Sequence, residues 1–312
     1  MTGCRTGGED EDPLVRARNR LAAVLGNRRA RLDDLRNGFD AMMLEADLED
    51  DVSVADLSIG DVPALRVQAG PVTEDRVLVW FHGGGYVIGS PRGYQFAAAA
   101  LSRSIGAPVV VPDYRLAPEH PFPAAVDDAT TVVDAIIAEY GPENTVIGGD
   151  SAGGGLSVAV LVRARDRGLP LPAAAVVVSP LADFTGSGES ITSNRHTDPV
   201  ITERSLRDLR AAYLGDTDAE NPLASPVFAD LRGLPPILFL ASDSEILLDD
   251  AVRLHRNVQA RYGSSVLSVY SETFHAWTLS TDILPRAREG VAEIGAFVGD
   301  VLRRAETAPS TP

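Results

Sequence analysis

The chain of 312 residues contains no lysine: all 28 of its basic residues are arginine, set against 44 acidic ones. Without lysine, no glycine-rich turn here can be a Walker-type phosphate loop, which needs one beside the phosphates. A formal net charge of −16 argues against nucleic acid as a partner and for a self-repelling surface. Cysteine occurs once, at Cys4. That excludes an intramolecular disulfide and a thiolate metal cluster, and no metal site is expected. Met1-Thr2-Gly3 supplies no apolar run ahead of Cys4, as lipoprotein attachment would need, so Cys4 reads as an inert surface thiol. No stretch reaches the roughly 18 apolar residues of a membrane span. The expected compartment is the cytoplasm.

Apolar residues make up 45% of the chain, enough for a sizeable core in one large α/β domain with insertions or in two smaller domains. Residues 14–36 carry leucine and valine near helical spacing, which predicts one or two arginine-rich amphipathic helices. Apolar runs then predict strands at 51–59, 64–68, 76–81, 107–111, 144–148, 173–179, 236–241 and 265–270. Helical stretches fall at 93–104, 124–139, 151–167, 247–262 and 286–304. Strands alternating with helices imply a mostly parallel, eight-stranded sheet with helices on both faces. The first two runs lack a helix between them and suggest an antiparallel edge. Residues 183–230 lose the rhythm, being rich in Gly, Ser, Asn, Pro and charge. They read as an insertion with a short helix at 202–213.

Two glycine-rich segments follow such strands. Gly149-Asp150-Ser151-Ala152-Gly153 matches G-x-S-x-G, a weak signal alone. Here a strand ends at Gly148 and a long apolar helix begins near Ser151. That setting makes Ser151 a nucleophile on a strained strand-to-helix turn, with the helix N-terminus favouring negative charge. A dinucleotide-binding turn would need G-x-G-x-x-G in the first βα unit instead. His82-Gly83-Gly84-Gly85 lets backbone N–H groups turn toward a substrate. The N–H groups of Gly83 and Gly84, with that of Ala152, are the expected oxyanion donors. His82 is expected to hold the loop.

In hydrolases built on such a turn the chain order is serine, acid, histidine, which leaves His196, His255 and His275. His196 lies in the irregular insertion and His255 inside a predicted helix. His275 follows the last strand, where a base reaches a serine at the sheet's carboxyl edge. The acid should follow strand 236–241, where Asp243 and Glu245 both stand. Either can accept the imidazole Nδ1–H, and the other would cap the next helix.

These segments, with the run from Asp113-Tyr114-Arg115 through Pro121-Phe122-Pro123-Ala124, resemble the hormone-sensitive-lipase-like esterases (bacterial family IV). The resemblance covers roughly residues 50–304. It implies an α/β-hydrolase fold, carboxylic-ester hydrolysis without a cofactor, and a preference for short acyl chains on a small-molecule ester. A homodimer is left open. Residues 1–45 and 183–230 would form a helical cap, and 46–182 with 231–312 the core. The family's D-P-L-x-D motif, laid on Glu245-Ile246-Leu247-Leu248-Asp249, puts the acid at Glu245 rather than Asp243. Tyr114-Arg115 would be a structural link supporting the site. Tyr86, Phe184 and Trp277 are the aromatics expected in the substrate pocket. The same triad also serves amidases and lactonases. Plant hormone receptors on this fold keep the serine and lose the base, a reading His275 opposes.

Overall fold

The computed structural model describes residues 11–25 and 30–307, and Cys4 lies outside them. The strands are β1 (Val52–Ile59), β2 (Val62–Ala69), β3 (Val77–Phe81), β4 (Val109–Pro112), β5 (Thr145–Asp150), β6 (Ala174–Val178), β7 (Ile237–Ser242) and β8 (Ser265–Tyr270). They form one sheet in the order β1-β2-β4-β3-β5-β6-β7-β8. β1 pairs antiparallel with β2, and β2 with β4, while the pairings from β4 through β8 are parallel. The edge hairpin turns at Gly60, whose φ of 59° favours glycine.

Every residue of β3 to β7 is buried. Their β-branched and alanine-rich sequences have no polar face, so both sides of the sheet must be covered. The cover comes from α3 (Gln95–Ile105), α4 (Ala124–Tyr140), α5 (Ala152–Asp166), α8 (Leu248–Ala260) and α9 (Pro285–Thr307). α3 packs on α9, and α4 on α5. From Ala152 to Val162, α5 is buried all round, which is why it shows no amphipathic stripe.

The N-terminal segment forms two helices, α1 (Pro13–Leu25) and α2 (Leu32–Met43). α2 runs beyond the predicted end at 36 because Phe39, Met42 and Met43 continue its buried face. The insertion holds α6 (Ser190–Ser193) and α7 (Glu203–Leu214). A single turn such as α6 is too short to show a period. Thr202 starts α7 with a capping box: its Oγ1 accepts from Ser205 N at 3.1 Å, and Ser205 Oγ accepts from Thr202 N at 2.9 Å. Among the described residues, no helix is long and apolar enough to cross a membrane.

Candidate active site

Four segments meet at the carboxyl edge of the sheet, where open α/β sheets bind ligands: the loop after β3, the β5–α5 turn, and the loops after β7 and β8. Ser151 holds the turn at φ 53°, ψ −119°, a strained region for any residue with a side chain. The turn closes on glycine at both ends. A Cβ at Gly149 would lie 2.5 Å from the Gly153 carbonyl, and one at Gly153 would lie 1.9 Å from Phe81 O. Ser151 N donates to Val178 O at 2.9 Å, and its carbonyl accepts from Leu181 N at 2.8 Å, so the end of β6 and the loop after it grip the strained residue.

Ser151 Oγ lies 2.9 Å from His275 Nε2, and His275 Nδ1 lies 2.7 Å from Glu245 Oε2. With a carboxylate on Nδ1, that nitrogen carries the proton and Nε2 accepts from the serine hydroxyl. Glu245 Oε1 accepts from Ser242 N at 2.8 Å, which fixes the carboxylate plane. Ala276 N donates to Ser179 Oγ at 3.1 Å and anchors the His275 loop to the loop after β6. Burial opposes a charge on His275. The hydrogen bond and charge of Glu245, with the charges of Asp198 and Asp150, outweigh it and hold the imidazole pKa above its usual 6.5.

Asp243, the other acid left open by the residues alone, is exposed. Its N–H donates to Tyr270 O at 3.0 Å, and its carbonyl accepts from Asn194 Nδ2 at 2.9 Å. His255 pairs with Ser265 Oγ at 2.9 Å on α8, and His196 is exposed beside Arg195. The insertion braces the acid loop, which the sequence did not foretell. Asp198 Oδ2 accepts from Ile246 N at 2.9 Å, and Asn194 Nδ2 also reaches Glu245 O at 2.9 Å.

The oxyanion loop corrects one expectation. Gly83 N is committed to Tyr94 Oη at 2.8 Å, so it has no hydrogen left for a substrate. Gly84 and Gly85 adopt φ 112° and 64°. Among the described residues, no acceptor takes the N–H of Gly84, Gly85 or Ala152. The available set is therefore one residue further along than Gly83 and Gly84. Three consecutive glycines look alike in sequence, and only the partner of each N–H tells them apart. His82 fastens the loop. Its Nδ1 lies 2.7 Å from Gly83 O, its ring stacks on Tyr114 at 4.3 Å, and Tyr114 Oη donates to His82 O at 2.7 Å. Burial pushes the His82 pKa down to about 4, which keeps it neutral. Arg115 pairs with Asp128 at 2.7 Å, tying the adjoining segment to α4.

A cavity of about 540 Å³ opens over Ser151 and His275. Leu21, Leu25, Leu32, Leu35 and Phe39 of the N-terminal segment line one side, and Leu206, Leu209 and Ala212 of α7 another. Tyr86, Phe184 and Trp277 are absent from its lining, a second correction. Tyr86 stacks on Tyr213 at 3.8 Å and Phe184 lies 5.5 Å from the same ring, so both serve to seat α7. Trp277 packs on Tyr270 at 5.1 Å and donates to Arg286 O at 3.3 Å. Large rings near a site are recruited to packing whenever apolar neighbours enclose them. The cavity's aromatics are Phe39 and Tyr94.

Residues 78–279 match a family model described as the alpha/beta hydrolase fold. An acetyl-hydrolase of Streptomyces hygroscopicus is 40% identical over 230 residues, covering 73% of this chain and 77% of the relative. A putative acetyl-hydrolase, LipR, of Mycobacterium tuberculosis is 34% identical over 254 residues, covering 81% and 82%. Among solved structures, an esterase from the bacterial hormone-sensitive lipase family superposes with a TM-score of 0.91 at 38% identity, covering 95% of this chain and all of that one.

Proposed function

Since the chain belongs to the hormone-sensitive-lipase-like esterases of the alpha/beta hydrolase fold, and is a carboxylic ester hydrolase, we propose that Ser151, His275 and Glu245 are its catalytic triad and short-chain acyl esters its substrates. His275 Nε2 takes the Ser151 proton as Oγ attacks the ester carbonyl. The N–H groups of Gly84, Gly85 and Ala152 receive the developing oxyanion, with α5's N-terminus behind Ala152. The tetrahedral adduct expels the alcohol, which takes its proton from His275. Water, deprotonated by the same nitrogen, then attacks the acyl-serine and releases the acid. Glu245 holds the tautomer and stabilises the imidazolium. The observation that carries this reading is the pair of short contacts through His275, 2.9 Å to Ser151 Oγ and 2.7 Å to Glu245 Oε2.

The base acts only when neutral. Its pKa stands above 6.5, so protonation removes active enzyme as pH falls through that value. The kcat/KM profile for p-nitrophenyl butyrate should therefore lose activity with a one-proton slope whose midpoint lies above pH 6.5. A profile flat down to about pH 5 would rule out a histidine base.

The short-chain reading is supported by Leu209, which lies over the oxyanion loop: a Cβ on Gly85 would sit 2.5 Å from its Cδ2. That contact packs α7 closely on the glycine loop beside Ser151. We read the described residues 11–25 and 30–45, with 183–230, as a cap over the core, since α1, α2 and α7 line the cavity. A p-nitrophenyl ester series from acetate to laurate should give its highest kcat/KM among the shortest chains. A maximum at laurate would overturn the substrate proposal while leaving the triad standing.

A further inference from the structure

Tyr94 sits in the first turns before α3, on no part of the proposed triad, yet its hydroxyl touches both halves of the site. It accepts from Gly83 N at 2.8 Å and donates to Asp150 Oδ2 at 2.8 Å. Asp150 is the residue directly before Ser151, and its other oxygen accepts from Trp80 Nε1 at 3.1 Å. Tyr94 and Asp150 are each 1% exposed, so water does not substitute for these bonds. The fit is tight: a Cβ on Gly83 would lie 2.3 Å from Asp150 Oδ2 and 2.9 Å from Tyr94 Oη.

We propose that Tyr94 is a positioning residue that sets the distance between the oxyanion donors and the nucleophile. The proposal rests on the reading of Ser151 as nucleophile and of Gly84, Gly85 and Ala152 as donors. Two of those donors lie on the β3 loop and the third on the β5–α5 turn. A tetrahedral oxygen bonded to all three needs the two segments in register. Trp80, Asp150, Tyr94 and Gly83 form one chain of hydrogen bonds across that gap, from the end of β3 through the nucleophile turn and back to the glycine loop. Without the hydroxyl, Gly83 N–H has no acceptor at its present position and turns toward the nearby Asp150 carboxylate. Gly84 and Gly85, next in the chain, move with it. Ground-state binding depends on the cavity walls and changes little. The transition state, whose charge must meet fixed donors, loses most. Asp150 itself is buried among Trp80, Tyr94 and, at longer range, His275, and burial pushes its pKa up to about 6. The Tyr94 bond is one of the contacts that favour its charged form.

The test uses the full chain and p-nitrophenyl butyrate, with active sites counted by the acyl burst. Tyr94→Phe keeps the ring and removes only the hydroxyl. Its kcat per active site should fall by about 10- to 100-fold, the range for misplaced rather than deleted donors, with KM nearly unchanged. Affinity for an alkyl boronic acid, whose tetrahedral adduct puts an oxygen among the donors, should weaken in parallel with kcat. A purely structural role would lower the melting temperature or the fraction of active sites and leave kcat per active site and boronate affinity alone; that result overturns the proposal. Asp150→Asn gives a second entry to the same chain if Tyr94→Phe folds poorly. The double variant should lose less than the product of the single losses, because both substitutions break one network; a full multiplicative loss counts against the shared network. Ser151→Ala, run beside them, keeps the two readings apart. If it retains activity the triad fails; if it is inactive while Tyr94→Phe turns over normally, only the positioning role fails.

Discussion

Ser151→Ala should reduce p-nitrophenyl butyrate hydrolysis by about 10⁴-fold or more, leaving the melting temperature close to that of the parent protein. The reason lies in what the substitution removes. Ser151 Oγ is the atom 2.9 Å from His275 Nε2, and alanine leaves the imidazole nothing to deprotonate except water. The fold has no comparable stake in the hydroxyl. The strained backbone at φ 53° is held by Ser151 N to Val178 O and Leu181 N to Ser151 O, and alanine keeps both bonds. What rate survives comes from the N–H groups of Gly84, Gly85 and Ala152 acting on a bound ester attacked by water. Burst titration separates the cases: the variant should show no acyl burst at all. Activity near the parent level in folded protein would remove Ser151 from the mechanism.

Glu245→Ala should cost about 10³- to 10⁴-fold in kcat, whereas Asp243→Ala should leave kcat nearly untouched. Two carboxylates stand two residues apart, and the turn after β7 sends them in opposite directions. Glu245 is fully buried, with one oxygen on Ser242 N and the other on His275 Nδ1. Removing it leaves the imidazole free to take the wrong tautomer and withdraws the charge that stabilises imidazolium. Asp243 is exposed and contributes its main chain, which alanine retains. Glu245→Gln should also move the acid limb of kcat/KM to lower pH, because the hydrogen bond and charge of Glu245 are what raise the His275 pKa against burial. A larger loss in Asp243→Ala than in Glu245→Ala would reverse the assignment.

The expected strands and helices overlap the observed ones along the whole described core. The periodicities there are strong: fully apolar runs for β3 to β7, and leucine spacing for the N-terminal helices. Legibility failed where the deciding quantity was a contact. Nothing in Gly83-Gly84-Gly85 says which N–H is already engaged; the answer is Tyr94, eleven residues on. Asp198 and Asn194 lie in a stretch without rhythm, and their work on the acid loop is invisible until that stretch folds over β7. Tyr86, Phe184 and Trp277 are large enough to suggest a pocket, but size alone does not distinguish a lining residue from one packed behind it.

Sequence alone determined the sheet, the serine turn and the chemical class. Strand and helix periods are local, and so is the pattern of small residues around Ser151 that marks a tight strand-to-helix turn. Tertiary structure decided which acid faces His275, which N–H groups stay open, and what walls the cavity. Those are matters of distance between segments far apart in the chain, as His275 and Ser151 are, 124 residues apart. Such distances are set by packing the whole domain, so no local pattern of residue types encodes them.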